Sequence, residues 1–190
     1  MRQIFCVFIA IFLLIAASCA GKQEKVKEKS SENVYRITLS DSFGKVSSRL
    51  WTLTKFEALG IRRIPSSYFD RALKYSGTEF EAVSILKLID QFQLKNGEDA
   101  ILLNCFDDYQ GLLSFSDIHR YDLHLATKIK VSLGSSKPDW LNPLLVIVPD
   151  SKDPPFEERF LTANIRQFEF VRLNDYYMPL KKVADTSIEA

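Results

Sequence analysis

Few side chains in this sequence belong to the types that hold metals or carry out acid–base and nucleophilic chemistry. His119 and His124 are five residues apart, which places them on different faces of a helix or a strand, whereas a metal pair on a helix needs i, i+4 spacing. Asp107 and Asp108 lie in the run Asp-Asp-Tyr-Gln-Gly, which favours a turn over calcium binding or acid–base work. No Gly-x-Ser-x-Gly nucleophile motif occurs. We therefore predict no catalytic residue and no metal ligand.

The N-terminal segment has the pattern of an export signal. Arg2 precedes a nearly unbroken apolar run over residues 4–15, and small residues follow at 16–18. This pattern is typical of a secretory signal, and the run is shorter than the roughly 20 apolar residues that a bilayer span needs. The Ala-Ala-Ser-Cys ending resembles a bacterial lipobox, which implies cleavage after residue 18 and lipidation of Cys19. The alternative is an ordinary signal peptide followed by an incidental cysteine.

Lipidation would leave the folded part with one free thiol. Cys6 is removed with the signal and Cys19 carries the lipid, so only Cys105 remains. A single cysteine cannot form an internal disulfide, and it excludes haem attachment through Cys-x-x-Cys-His and a cysteine-rich zinc site. We expect the domain to be stabilised by packing alone.

The segment after the anchor is predicted to be a disordered tether. Residues 19–33 contain one aliphatic side chain larger than alanine, Val26, and no aromatic one, so they cannot bury enough apolar surface to offset their ordering entropy. The alternative is a frayed helix rich in Lys and Glu. The chain has 25 basic and 24 acidic residues, and removal of Arg2 with the signal leaves 24 of each. This balance leaves no excess of positive charge to bind the phosphate backbone of a nucleic acid.

The spacing of apolar residues predicts the elements that must position any site. We predict strands over 34–39, 100–106, 112–115, 123–133, 144–148 and 165–173, and short β-prone pieces over 61–64 and 68–75. We predict helices over 54–59, over 81–92 with Leu86 and Ile89 facing inward, and from a Ser116 cap through Tyr121. This pattern is typical of a single strand-rich α+β domain over 34–180, followed by a tail over 181–190.

The order of these segments resembles the oxidoreductase molybdopterin-binding domain of the sulfite oxidase family. The resemblance covers roughly Arg49 to Leu180. The matching segments within this range are Tyr75–Phe80, Ile85–Ile89, Ile101–Cys105, Asp107–Gln110, Ser114–Ile118, Leu125–Thr127 and Trp140–Pro149. The resemblance implies a sulfite-oxidase-type α+β fold and, in the family's enzymes, a molybdopterin cofactor whose metal is held by a cysteine thiolate before the first of these segments.

The corresponding stretch of this chain, Ile61–Lys74, has no cysteine. Cys105 comes later, inside a predicted apolar strand, where a cysteine is usually a small hydrophobe. We therefore expect the fold without molybdenum, pterin or sulfite oxidation. The alternative is a pterin-dependent oxidoreductase, or an accessory subunit of an electron-transfer complex, that holds the cofactor without a cysteine ligand.

Together these features predict a lipoprotein of the bacterial cell envelope, tethered through Cys19 to the periplasmic side of a membrane or to the cell surface. Its domain is predicted to be a noncatalytic binding or scaffolding module for a small anion or an envelope or electron-transfer protein. By analogy with the fold, the predicted ligand-binding residues are Arg62, Arg63, Arg71, Asp107, Asp108 and Tyr109.

Overall fold

The computed structural model describes residues 33–40, 46–94, 97–132, 136–138 and 141–179. The predicted signal peptide, Cys19, nearly all of the predicted tether, residues 41–45 and the C-terminal tail lie outside these described residues. Among the described residues, no helix is both long and apolar enough to cross a bilayer.

In the described part of the chain, nine strands form two sheets. The strands are β1 (Val34–Ser40), β2 (Val46–Thr52), β3 (Arg62–Arg63), β4 (Glu79–Ser84), β5 (Ala100–Cys105), β6 (Gln110–Ser114), β7 (His124–Lys130), β8 (Leu145–Ile147) and β9 (Ile165–Val171). The five-stranded sheet has the order β2-β1-β9-β5-β6, and the four-stranded sheet has the order β3-β4-β7-β8. The β1–β9 pair is parallel and every other pair is antiparallel.

Short helices connect the strands. They are α1 (Leu53–Glu57), α2 (Ser67–Leu73), α3 (Ile85–Ile89), α4 (Phe115–Tyr121) and a 3-10 helix over Glu158–Leu161; residues 173–179 are also helical. The strands predicted from alternation are all present, so the strand-rich α+β class is confirmed.

The largest hydrophobic core is shared by the two sheets. Ile37 and Phe168 of the five-stranded sheet and Val83, Leu125 and Val146 of the four-stranded sheet are buried in one cluster. A smaller cluster centres on Phe69 and Phe80, whose rings meet edge to face with centroids 5.4 Å apart. Because each strand alternates inward and outward side chains, the inward residues of both sheets fill the shared core.

The prediction of β structure over 68–75 is wrong, because this segment is helix α2. A distant residue starts the helix: Oδ1 of Asp150 accepts a hydrogen bond from the backbone N–H of Ser67 at 2.6 Å. The helix ends at Lys74, which has a left-handed backbone with φ of 59°. The aromatic residues Tyr68 and Phe69, which looked β-prone in sequence, are the buried face of the helix.

The predicted helix over 81–92 is correct only in its middle. Residues up to Ser84 belong to β4, which pairs with β7, and the helix α3 spans Ile85–Ile89. The fully buried side chains of α3 are Ile85 and Leu88, whereas the predicted inward residues Leu86 and Ile89 are only half-buried. The helix therefore begins later than predicted, and its buried residues lie one position before the predicted ones.

The serine that caps α4 also differs from the prediction. Oγ of Ser114, not of Ser116, accepts the backbone N–H of Asp117 at 3.0 Å. The Ser114 hydroxyl in turn donates to the Asp117 carboxylate at 2.6 Å, and that carboxylate pairs with Arg159 at 2.6 Å. The reciprocal bonds satisfy helix-terminal groups and tie α4 to the 3-10 helix.

Candidate ligand-binding site

The turn between β5 and β6 presents two aromatic side chains to solvent. Oδ1 of Asp107 accepts the backbone N–H of Tyr109 at 3.3 Å, and Asp108 has a left-handed backbone with φ of 64°. These features confirm the predicted turn, in which an aspartate bonds its own backbone. Phe106 is 57% exposed and Tyr109 is 39% exposed. The turn therefore places carboxylates and aromatic rings side by side.

A glycine allows the 3-10 helix to approach this turn. A Cβ on Gly111 of β6 would overlap Oγ1 of Thr162 and would lie 3.0 Å from the Cβ and Cγ2 of the same residue. Thr162 is fixed in turn, because its hydroxyl donates to the carbonyl of Arg159 at 2.8 Å. The missing side chain at Gly111 therefore sets the distance between β6 and the segment that carries Glu158.

Helix α2 holds a loop in place through hydrogen bonds of Tyr68. This loop comprises residues 153–157, and we call it the Phe156 loop. The Tyr68 hydroxyl donates to the carbonyl of Pro155 at 3.1 Å and accepts the backbone N–H of Glu157 at 2.8 Å. Burial raises the pKa of Tyr68, so the hydroxyl keeps its proton at neutral pH. Phe156 stacks on the Tyr68 ring with centroids 6.1 Å apart and remains 63% exposed.

These parts enclose a cleft of about 310 Å³, which we call the acidic cleft. Its rim carries Asp107, Tyr109, Phe156 and Glu158, and its other lining residues are Leu73, Leu161, Thr162 and Ala163. Burial first, and the nearby charge of Glu158 next, raise the pKa of Tyr109, so this rim side chain is neutral. The cleft therefore combines apolar walls, two aromatic rings and two carboxylates.

A second cleft of about 280 Å³ lies on the other side of Phe156. It is lined by Tyr68, Arg71, Ala72, Asp153, Pro154 and Phe156. Its charged groups neutralise each other, because the Arg71 guanidinium lies 3.1 Å from the Asp153 carboxylate. The two clefts share the Phe156 ring as a common wall.

The structure brings together only part of the predicted ligand-binding set. Asp107 and Tyr109 line the acidic cleft and Arg71 lines the second cleft, whereas Asp108 pairs with Arg166 at 3.4 Å. Arg62 and Arg63 line neither cleft. They form the edge strand β3 of the four-stranded sheet, where Arg63 lies 3.5 Å from Glu79.

Sequence reasoning missed Phe156 and Glu158. The run Asp-Pro-Pro-Phe-Glu-Glu offered one signal, because consecutive prolines hold a loop in an extended form. An aromatic residue beside such prolines does not belong to a strand or helix that would pack its side chain into the core. Nothing in the sequence indicated that this loop meets a turn more than 40 residues earlier.

The residues present do not fit a molybdenum cofactor. Cys105 is 1% exposed, and its burial, with a further effect of the Asp107 charge, raises the thiol pKa to about 12. A metal-binding cysteine must be a thiolate. In the stretch where the family places its ligand, the Tyr68 hydroxyl holds the Phe156 loop and the Asp70 carboxylate accepts the Thr78 N–H at 3.1 Å. Among the described residues, no group of three or more His, Cys, Asp or Glu is placed to hold a metal ion.

The histidines are separated by burial as well as by sequence. His119 is exposed on α4, and His124 of β7 is 2% exposed. Nδ1 of His124 lies 2.6 Å from the Asp122 carbonyl, while Nε2 has no hydrogen-bond partner among the described residues. Burial lowers the pKa of His124, so the ring is neutral at pH 7 and Nδ1 is the donor to the carbonyl. We interpret His124 as a core residue.

No protein-family model matches this chain, and no curated protein matches it either.

Proposed function

We propose that this chain is a lipid-anchored protein of the bacterial cell envelope whose α+β domain is a noncatalytic binding module. The observation that carries the proposal is the acidic cleft, in which exposed Phe156 and Tyr109 and the carboxylates of Asp107 and Glu158 surround apolar walls. An apolar concavity with a few convergent polar groups is typical of a binding site. Cys105, next to the β5–β6 turn, offers this cleft no thiolate nucleophile, because its side chain is buried and its thiol pKa is raised to about 12.

The envelope location in this proposal is supported by the N-terminal sequence. The basic start, the apolar run and the Ala-Ala-Ser-Cys ending favour lipidation of Cys19. The polar segment that follows is long enough to hold the domain away from the membrane surface. We propose that the membrane is contacted through this lipid, on the periplasmic side of a membrane or at the cell surface.

We further propose that the domain is a sulfite-oxidase-like fold that has lost its cofactor. The order of β5, its turn, β6, α4 and β7 is the order that the resemblance implies, and it supports the proposal. The absence of cysteine from Ile61–Lys74 and the high thiol pKa of Cys105 favour loss of the metal over an unusual ligand set.

Photocrosslinking in intact cells tests the binding role. A benzophenone amino acid is placed at Phe156, and a matched variant carries it at Leu50, which is 65% exposed on β2 of the five-stranded sheet. If the clefts are the binding surface, we expect discrete adducts from position 156 and none from position 50. Equal labelling at the two positions, or none at either, would contradict the proposal.

A further inference from the structure

We propose that the acidic cleft takes the cationic side chain of a lysine or arginine from an extended segment of a partner protein. This inference rests on the proposed binding role and names the chemistry of the ligand.

The charge of the cleft points to a cation. Among the described residues, neither Asp107 nor Glu158 takes part in a salt bridge, although both lie on the cleft rim. The carboxylates around them are already neutralised, because Asp108 pairs with Arg166 at 3.4 Å and Glu157 pairs with Arg159 at 2.6 Å. The rim therefore has two carboxylates without a cationic partner, which would repel an anionic ligand and attract a cationic one.

The aromatic rings add to this preference. Tyr109 and Phe156 stand on the same rim as the carboxylates and are 39% and 63% exposed. An ammonium or guanidinium group is attracted to the face of an aromatic ring and forms strong hydrogen bonds with a carboxylate. One bound cation would use both kinds of group at once.

The walls suit the stem of a long basic side chain. Leu73, Leu161 and Ala163 provide apolar surface below the charged rim. Lysine and arginine side chains place their methylene groups along apolar surface and keep the charged end near polar groups. The volume of about 310 Å³ is at the small end of the range for ligand pockets, as one side chain requires.

The second cleft indicates that the cation belongs to a polypeptide. It shares the Phe156 ring with the acidic cleft and has an internally paired Arg71 and Asp153. In an extended chain, side chains at positions i and i+2 point to the same side. Such a chain crossing over Phe156 can place a basic residue in the acidic cleft and an uncharged residue in the second cleft.

Titration with a defined peptide tests the inference. The protein used is residues 19–190 with Cys19→Ser, which prevents lipidation. The probe is acetyl-Ala-Ala-Lys-Ala-Ala-amide, and the matched control replaces lysine by norleucine, which keeps the stem and removes the charge. Butylammonium provides the isolated cation. Binding is measured from NMR shifts of Tyr109 and Phe156.

We expect the lysine peptide to bind at least about tenfold more tightly than the norleucine peptide and more tightly than butylammonium. Asp107→Asn and Glu158→Gln should each weaken binding by about threefold. Asp108→Asn, whose carboxylate is paired with Arg166 outside the cleft lining, should leave binding unchanged.

Other outcomes separate this inference from the proposed function. Equal affinity for the lysine and norleucine peptides would refute the preference of the cleft for a cation. Equal affinity for butylammonium and the lysine peptide would refute the inference that the cation belongs to a polypeptide. Lack of binding by every probe would also overturn the inference. In each case adducts from position 156 in cells would leave the binding role intact, whereas failure of those adducts would remove the role itself.

Discussion

Replacement of Gly111 by alanine tests the contact that sets the shape of the acidic cleft. Gly111 of β6 has no left-handed backbone, so alanine brings no backbone strain and would alone stabilise the fold by about 0.4–1 kcal/mol through the unfolded chain. The added methyl group, however, would overlap Oγ1 of Thr162, a residue that is 1% exposed. Overpacking of this kind costs about 1–3 kcal/mol. We therefore expect a net loss of about 1–2 kcal/mol in the free energy of unfolding.

The double mutant Gly111→Ala/Thr162→Ala separates steric overlap from other effects. Thr162→Ala alone should cost about 1–2 kcal/mol, because it removes a methyl group and the hydrogen bond to the Arg159 carbonyl. It also removes the two outer atoms that the alanine at position 111 would meet. Gly111→Ala combined with Thr162→Ala should therefore cost less than the sum of the two single changes, by about 1 kcal/mol or more.

Urea denaturation followed by circular dichroism measures these free energies, provided that the slope against denaturant stays constant. Gly77→Ala is the matched control: Gly77 has φ of 67° and no atom near the added Cβ, so its cost is backbone strain that Thr162→Ala cannot relieve. Additive costs at positions 111 and 162, within about 0.5 kcal/mol, would refute the steric account.

Three further changes test other parts of the account. Cys19→Ala should abolish lipidation and move the protein to the soluble periplasmic fraction; complete retention with membranes in detergent phase separation would place the anchor elsewhere. Leu88→Ala should cost about 2–5 kcal/mol and exposed Asp90→Ala less than about 0.5 kcal/mol, because only Leu88 is fully buried; equal melting-temperature losses would refute the assigned face. Burial is the largest effect and lowers the pKa of His124 against the opposing hydrogen bond and charge of Asp122, and the charges of Arg62 and Lys87 add smaller effects in the same direction as burial. The unfolded state then binds the extra proton, so stability present above about pH 6.5 is lost as the pH falls toward the folded-state pKa. His124→Asn, which keeps a donor for the Asp122 carbonyl, should lose less stability than the wild type between pH 7 and pH 5, and equal losses would contradict this.

Most of the strands could be predicted because their signal is local, whereas β2 was not predicted and most of β4 was predicted to be helical. Residues 34–39 alternate apolar and polar side chains, and in β9 the buried residues Phe168 and Phe170 alternate with the half-buried residues Glu169 and Val171. The segment 81–92 was harder, because Phe80, Val83 and Leu86 fit a helical period while β4 pairs with β7 through residues 79–84. Residues 79–84 form a strand because they pair with β7, which lies 40 or more residues later in the chain.

Helix α2 and the acidic cleft depend on contacts that no local pattern contains. Asp150 starts α2 from 83 positions along the chain, and the Tyr68 hydroxyl holds the Phe156 loop from a similar distance. The sequence indicated the β5–β6 turn and its aspartates correctly. The sequence could not indicate that Glu158 and Asp107 lie on the rim of the same cleft. That arrangement depends on the close packing of Thr162 against Gly111.

Elemental analysis of the natively expressed protein tests most directly the central claim that this domain binds rather than catalyses. The Cys105 side chain is 1% exposed within β5, and Ile61–Lys74 contains no cysteine, so no cysteine of the described residues presents an accessible thiol to a metal. We predict neither molybdenum nor pterin in the purified protein and no sulfite oxidation. Stoichiometric molybdenum that is lost on Cys105→Ser would contradict the account and identify the chain as an oxidoreductase.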